Sequence, residues 1–174
     1  MTGGPVVRPA VADDLPAIRE ISGWAARETT ANFHSDAEPL AAWLDFWRER
    51  GRYPWLVAER DGAVVAFAKG GRYKPRCAYR FTVETTIYVL PGAQSQGVAS
   101  RLYPELLDRL EALGFHSAVA AITTPNPASE RLHARCGFEH FGTLRRAGWK
   151  FGRWHDVSYW QRVFRPESHV PADA

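Results

Sequence analysis

Residues 83–100, V-E-T-T-I-Y-V-L-P-G-A-Q-S-Q-G-V-A-S, constrain the fold more than any other stretch of the chain. Positions 85–90 are β-branched and aromatic and predict a strand. Pro91-Gly92-Ala93 breaks it. Residues 94–100 are small and lead straight into a helix over 97–113, with Leu102, Leu106, Leu110 and Leu113 as its apolar stripe. A strand, a tight glycine loop and a helix N-terminus form an anion site, because successive backbone N–H groups point outward and the helix dipole adds partial positive charge. Glu84 stands on the strand just before the loop, so a potential base lies beside an anion cradle. Beyond Gly114 the nearly all-apolar run S-A-V-A-A-I-T, 117–123, suits a fully buried parallel strand.

The flanking chain supplies the other elements. Residues 6–8 read as a short edge strand. A helix follows Asp13-Asp14, with Leu15, Ile18, Ile21 and Ala25 at helical spacing, an Asp at the N-cap and Pro16 in the first turn. Residues 28–34 have no period and form a loop, in which Phe33 either plugs the core or lids a pocket. A second helix over 36–50 turns Leu40, Trp43, Leu44 and Trp47 to one side and ends at Gly51. Strands over 53–59 and 63–70 flank the turn Arg60-Asp61-Gly62. The basic, aromatic segment 71–80 then leads into the central strand, 81–90. Pro104, inside the third helix, predicts a kink or an opened first turn, since an interior proline costs about 3 kcal/mol. Asn126 and Pro127 open a fourth helix that Gly137 closes. The last two strands, 138–147 and 154–164, are joined by G-W-K-F-G-R, and the tail 166–174 reads as frayed. No repeat or linker interrupts the 174 residues, so a single domain over 1–174 is expected.

Composition narrows the function classes. Hydrophobic content of 45% and charge of 24% are those of a soluble globular protein. Seven tryptophans fit either a Trp-rich core or aromatic pockets and an interface. The net charge of +3 comes from scattered rather than clustered arginines. That argues against a nucleic-acid stripe, and an anionic cofactor is sufficient to explain it. Cys77 and Cys136 lie in no metal or redox spacing, so free thiols in a reducing cytoplasm and no metal site are expected. No signal-type or membrane-length apolar run is present, which predicts a soluble, cytoplasmic chain without membrane attachment.

The predicted order β-α-α-β-β-β-α-β-α-β-β resembles the GNAT N-acetyltransferase superfamily. The loop Gln94-Ser95-Gln96-Gly97-Val98-Ala99 is similar to its acetyl-coenzyme A motif, Q/R-x-x-G-x-G/A. Asn126-x-x-Ser129-x-x-x-His133-x-x-x-Gly137-Phe138 is similar to its second motif, with His133 where most members carry Tyr. The segments T-T-A-N-F, R-Y-P-W-L-V-A-E, A-Y-R-F-T-V-E-T-T-I-Y-V and G-R-W-H-D-V-S-Y-W-Q resemble the phosphinothricin and L-amino-acid N-acetyltransferases, and such segments cover almost the whole chain. The resemblance implies an α/β (α+β) fold: a mixed, twisted sheet of about seven strands flanked by about four helices. It implies transfer of an acetyl group from acetyl-CoA to the primary amine of a small amino-acid-like acceptor such as phosphinothricin or methionine sulfoximine, in a homodimer, with herbicide or antibiotic resistance as the biological outcome.

The residue roles follow from that likeness. Glu84 is implied as base, against the plainer reading of a structural salt bridge. His133 is implied as proton donor to the leaving thiolate, against a satisfied core histidine. Backbone groups of Ile87, Tyr88 and Val89 would meet the acyl oxygen if the strand splays there. The amides of Ser95, Gln96, Gly97, Val98, Ala99 and Ser100 would hold the pyrophosphate. Asn126 and Ser129 would meet the pantetheine arm, with helix capping an equally good role for Asn126. Phe33, Lys74, Arg76 and Tyr79 would surround the acceptor, Arg76 suiting its acidic group. Lys74 and Arg76 also fit a solvated basic loop. Trp149 and Lys150 could complete a neighbouring subunit's pocket. Ser95 and Gln96 replace residues that relatives use for phosphate, and Ala99 replaces a common Gly. A non-catalytic acyl-CoA sensor on the same fold, or a GNAT enzyme acting on another amine, remains open at this level.

Overall fold

The computed structural model describes residues 4–164. One seven-stranded sheet runs in the order β1-β2-β3-β4-β5-β7-β6. Its strands are β1 (Val6–Pro9), β2 (Trp55–Arg60), β3 (Ala63–Arg72), β4 (Thr82–Val89), β5 (Ser117–Thr124), β6 (Glu139–Lys150) and β7 (Arg153–Val163). Four helices cover it: α1 (Leu15–Glu28), α2 (Leu40–Glu49), α3 (Val98–Ala112) and α4 (Pro127–Arg135). Every neighbouring pair is antiparallel except β4 and β5, which are parallel and joined through α3.

The period of two in β2 and β3 divides the core. Leu56, Ala58, Ala66 and Ala68 point to one face, where Leu102, Tyr103, Leu106, Leu107 and Leu110 of α3 meet them. Trp55, Val57 and Phe67 point to the other, under Leu15, Ile18 and Ile21 of α1 and Trp43 of α2. Each fully buried leucine contributes about 2 kcal/mol, so α3 is fixed by its apolar side and not by helix propensity.

Several elements differ from the sequence expectations for local reasons. Asp14 does not cap α1. Its carboxylate accepts from the Val11 N–H at 2.8 Å and from Arg8, at 2.7 Å from Nη1, so the chain makes a short 3₁₀ turn first. The second helix starts at Leu40 and not at 36, because Pro39 disfavours helical geometry in the residue before it. Pro104 leaves α3 unbroken: the bond it cannot donate would reach Ser100, in the helix's first turn. Leu113 is 46% exposed and lies outside the stripe, which is completed by Val98, Tyr103 and Leu107. The last hairpin is longer than expected. Its strands continue to Lys150 and from Arg153, and turn at Phe151-Gly152, both with positive φ. The Asp61-Gly62 turn has φ of 51° and 78°, as a tight hairpin of this type requires. The stretch 166–174 lies outside the described residues.

Candidate functional site

The parallel pair β4–β5 holds for only three rungs: Thr82↔Ser117, Val83↔Ala118 and Glu84↔Val119. Beyond Glu84 the strands part, although β4 stays on β3 as far as Val89 and β5 stays on β7 as far as Thr124. The gap therefore opens inside the sheet. At its apex the buried Thr85 hydroxyl lies 2.7 Å from the Tyr103 hydroxyl and donates to the Val119 carbonyl at 3.3 Å, so a side chain takes the last carbonyl of the short ladder. Ile87, Tyr88 and Val89 lie along the parted stretch and line the gap.

A cleft of about 670 Å³ fills the gap. Residues 84–89 of β4 and 120–123 of β5 form its walls, and Ser95, Gly97, Val98, Ala99 and Ser100 form one end. Asn126, Ser129 and His133 of the α4 segment close a side, with Arg131 and Arg135 beside them. Trp24, Ala25 and Thr29–Ala31, numbered 24–25 and 29–31, cover the opposite side. A cleft of this size accommodates an extended cofactor arm together with a small acceptor.

The α3 N-terminus is built for an anion. Gly97 is the N-cap at φ 78°, no side chain caps the helix, and the first helical bond runs from Arg101 N–H to the Gly97 carbonyl. The N–H groups of Val98, Ala99 and Ser100 are therefore left for a ligand. Gln96 does not line the cleft: its side chain turns back and donates to the Gly92 carbonyl at 2.7 Å, beside Arg60 and Asp61. The sequence reading missed Arg131 and Arg135. Their i,i+4 spacing puts both on one side of α4, but two residues out of phase with Ser129 and His133, so the motif gave no signal that they reach the cleft. They bring positive charge into the cleft that Ser95 and Gln96 do not.

Glu84 stands at the apex, open to the cleft on one side. Burial on its protein side pushes its carboxyl above the usual 4.5, and the charge of Lys69 acts in the opposite direction. Glu84 forms no ion pair among the described residues, so the salt-bridge reading falls away.

His133 is 4% exposed and packed edge-on against Tyr103 and Phe138, with ring centroids 4.9 and 5.2 Å away. Its Nδ1 lies 2.8 Å from the Ser129 carbonyl. A carbonyl only accepts, so Nδ1 carries the hydrogen and Nε2 is left bare in the neutral ring. Burial pushes its pKa below the usual 6.5. The resting imidazole is neutral, and its one N–H is already given to Ser129, so it is not the ready proton donor expected from sequence. Asn126 caps α4 through Oδ1, which accepts from Ser129 N–H at 3.1 Å and leaves the amide NH₂ for a ligand.

The acceptor residues expected from sequence do not line this cleft. Lys74 and Tyr79 belong to the 73–80 loop, where the Lys74 ammonium sits 4.9 Å over Tyr73 and 5.4 Å over Tyr79. Arg72 holds that loop by donating to the carbonyls of Lys74, at 3.1 Å, and Pro75. Arg76 is exposed in the same loop. Phe33 belongs to neither core cluster and instead covers Gly148, where an added Cβ would meet its ring at 2.4 Å. His155 is beside it, with ring centroids 6.4 Å apart. Lys150 is buried within its own chain and donates to the carbonyls of Ala26, Asn32 (2.5 Å) and His34 (2.8 Å). It therefore secures the Phe33 loop from within and is not available to a neighbour's pocket.

Residues 18–138 match the acetyltransferase (GNAT) family. The phosphinothricin N-acetyltransferase of Streptomyces viridochromogenes is 46% identical over 159 residues, covering 91% of this chain and 87% of that protein. The L-methionine sulfoximine/L-methionine sulfone acetyltransferase of Pseudomonas paraeruginosa is 38% identical over 169 residues, covering 95% and 98%. The crystal structure of a GNAT superfamily phosphinothricin acetyltransferase from Sinorhizobium meliloti, in complex with AcCoA, matches with a TM-score of 0.93 at 35% identity. That match covers 99% of this chain and 95% of the other.

Proposed function

We propose, for a chain that belongs to the GNAT acetyltransferase family, that it moves an acetyl group from acetyl-CoA to the primary amine of a small amino-acid-like acceptor of the phosphinothricin and methionine sulfoximine kind. The observation that carries this reading is the split between β4 and β5, with Glu84 at its apex and an uncapped helix N-terminus at its far end.

The residues present fit acetyl-CoA. The free amides of Val98, Ala99 and Ser100 suit its pyrophosphate, with Gly97 open beside them, and Arg131 and Arg135 add charge from the facing wall. Ser95 lines the same end of the cleft, while the Gln96 side chain is committed to the Gly92 carbonyl. The backbone N–H groups of Ile87 and Val89, which flank Tyr88 and turn to the gap, together with the Asn126 amide and Ser129, suit the pantetheine arm and the acyl oxygen, while the Val89 carbonyl accepts from Gln94 Nε2 at 3.0 Å. When bound, acetyl-CoA supplies an activated acyl group.

The chain's own work is proton handling and placement. An acceptor ammonium must lose a proton before its nitrogen can attack. Glu84 takes that proton, directly or through one water, and its upward pKa shift brings it closer to the working pH of a base. His133 enters as a neutral ring, so Nε2 takes a proton as the amine reacts and returns it to the departing sulfur. Phe33, in the loop after α1, and Lys74, Arg76 and Tyr79, in the loop before β4, stand outside the lining of the cleft and are proposed to grip the acceptor, with Arg76 on its acidic group.

The same reading treats residues 1–174 as one N-acetyltransferase domain. A homodimer is supported by a surface of large apolar side chains on the β6–β7 hairpin. Phe141, Leu144, Trp149, Phe151 and Trp154 are each more than half exposed. Free Cys77 and Cys136, with no described helix long and apolar enough to cross a membrane, support a cytoplasmic enzyme. Acetylation of a toxic amino-acid analogue would give resistance to it.

The test is thiol release from acetyl-CoA with phosphinothricin, methionine sulfoximine, methionine sulfone and a panel of amino acids. Turnover is expected with at least one of the analogues and is expected to be lost in Glu84→Gln. No release with any acceptor would overturn the reading.

A further inference from the structure

We infer that Lys69 is a positioning residue for the reaction: a cation on the same face of the sheet as Glu84, diagonal to it across β3 and β4, that keeps the Glu84 carboxylate ionised and ready to take a proton. The inference rests on the reading of Glu84 as base and adds to it the element that sets the base's charge state.

The sheet register places the two side chains. In β3, Lys69 is opposite Trp55 of β2 on one side and Thr86 of β4 on the other. Glu84 is two residues before Thr86, so it projects from the same face and stands diagonal to Lys69. The residue directly opposite Glu84 is Gly71, so no side chain stands between them on that rung. Lys69 is the one charge in the otherwise apolar run A-V-V-A-F-A-K-G.

Its surroundings hold the ammonium without neutralising it. Nζ lies 4.9 Å from the centroid of Trp55 and 5.9 Å from that of Trp43, the tryptophan that α2 lays over this face. Aromatic faces attract a cation but leave its charge intact. Among the described residues Lys69 forms no ion pair. The charges acting on it are the carboxylates of Glu38, from the loop before α2, and of Glu84. Tyr88, two rungs along β4, has its phenol pushed up to about 12 and stays neutral. Burial lowers the ammonium of Lys69 from its usual 10.5, the two carboxylates raise it, and Lys69 in turn lowers Glu84. The structural lysine of this chain, Lys150, spends its ammonium on three carbonyls. Lys69 has no such acceptor among the described residues and is laid beside two indoles on the face that carries the base.

The experiment is the pH profile of kcat/KM for the acceptor. In Lys69→Met the acid limb is expected to move to higher pH by about one unit, or roughly a tenfold loss at a fixed pH below the limb, given two unit charges a diagonal apart at a protein surface. Lys69→Arg, which keeps the charge over the rings, is expected to restore the original limb. A lysine with a structural role alone would lower activity equally at every pH and leave the limb in place. An unmoved limb in folded Lys69→Met or Lys69→Gln overturns the proposal. If neither variant folds, the wild type decides: the ¹³C shift of the Glu84 carboxyl is expected to show a second inflection below pH 10.5 as Lys69 loses its proton. Absence of that inflection also overturns the proposal. Failure of the underlying reading is separate, because Glu84→Gln alone decides whether the carboxylate is the base.

Discussion

Replacing Lys150 with Met keeps the length and apolar body of the side chain and removes only its ammonium. That ammonium ends at three carbonyls, of Ala26, Asn32 and His34. The first belongs to the last turn of α1 and has no helical partner, and the other two belong to the loop that carries Phe33. Hydrogen bonds from a charged donor contribute roughly 1.5–3 kcal/mol each, but burying the ammonium offsets much of the sum. Two of the three carbonyls are part-buried, so water replaces the lysine there more readily than at the buried Ala26 carbonyl. The net expectation for Lys150→Met is a loss of about 2–4 kcal/mol, read as a lower midpoint with unchanged slope in urea unfolding, or a fall in Tm of about 5–12 °C. Thr29, Thr30 and Ala31 of the same loop line the cleft. The KM for the acceptor should therefore rise while that for acetyl-CoA stays near wild type. Lys150→Arg should be intermediate, since a planar guanidinium keeps the charge but cannot converge on three carbonyls in the same way. A Lys150→Met protein within about 0.5 kcal/mol of wild type would refute the reasoning, because it would mean that the clamp and its desolvation cancel.

Glu84→Gln should raise the melting temperature at pH 7 while it abolishes turnover. A carboxyl whose folded pKa is raised favours the native state below its unfolded pKa, and that contribution is lost as pH rises through the folded pKa. The stability gap between Glu84→Gln and wild type should therefore close as pH falls to about 4, which differential scanning calorimetry at two pH values would show. Tyr103→Phe should retain most activity and lose about 1 kcal/mol, because Tyr103 is buried, its hydroxyl is engaged by Thr85, and burial pushes its phenol far above the neutral range. Steady-state assays beside urea curves separate the two effects. Arg131→Ala and Arg135→Ala should raise the KM for acetyl-CoA several-fold and flatten its salt dependence, with the acceptor KM little changed.

Local patterning made the order of elements legible. The apolar runs 55–58 and 63–68, the positive-φ pair Asp61-Gly62 between them and the apolar run 117–123 each encode one strand or turn without help from elsewhere. Motif likeness made Glu84, Asn126 and the Gly97–Ser100 cradle, positions 97–100, legible too, and the structure gathers them around one cleft. What the chain does not spell out depends on partners distant in sequence. Lys150 reads as a hairpin-loop lysine until residues 26, 32 and 34 are folded onto it. Gln96 belongs to the motif, yet its side chain finds Gly92 and leaves the cleft to its neighbours. The tautomer of His133 is fixed by a carbonyl one turn earlier and its protonation by the rings of Tyr103 and Phe138, none of which shows in the spacing of the motif. Lys69 went unremarked in the apolar strand 63–70, because only the register with β4 reveals what it faces.

The early parting of β4 and β5 leaves two strands that are each paired on their outer sides and whose facing N–H groups have no strand partner, although side chains of Thr85 and Gln94 take the Val119 and Val89 carbonyls. In the free protein, alternate amides of 85–89 and 120–124 have water as their partner. These few positions should exchange with deuterium quickly while their neighbours on the same strands stay protected. Acetyl-CoA laid between the strands would complete the missing rungs and slow exchange there. Its occupancy would then be recorded in the sheet itself, at peptides that need no label and whether or not an acceptor is present.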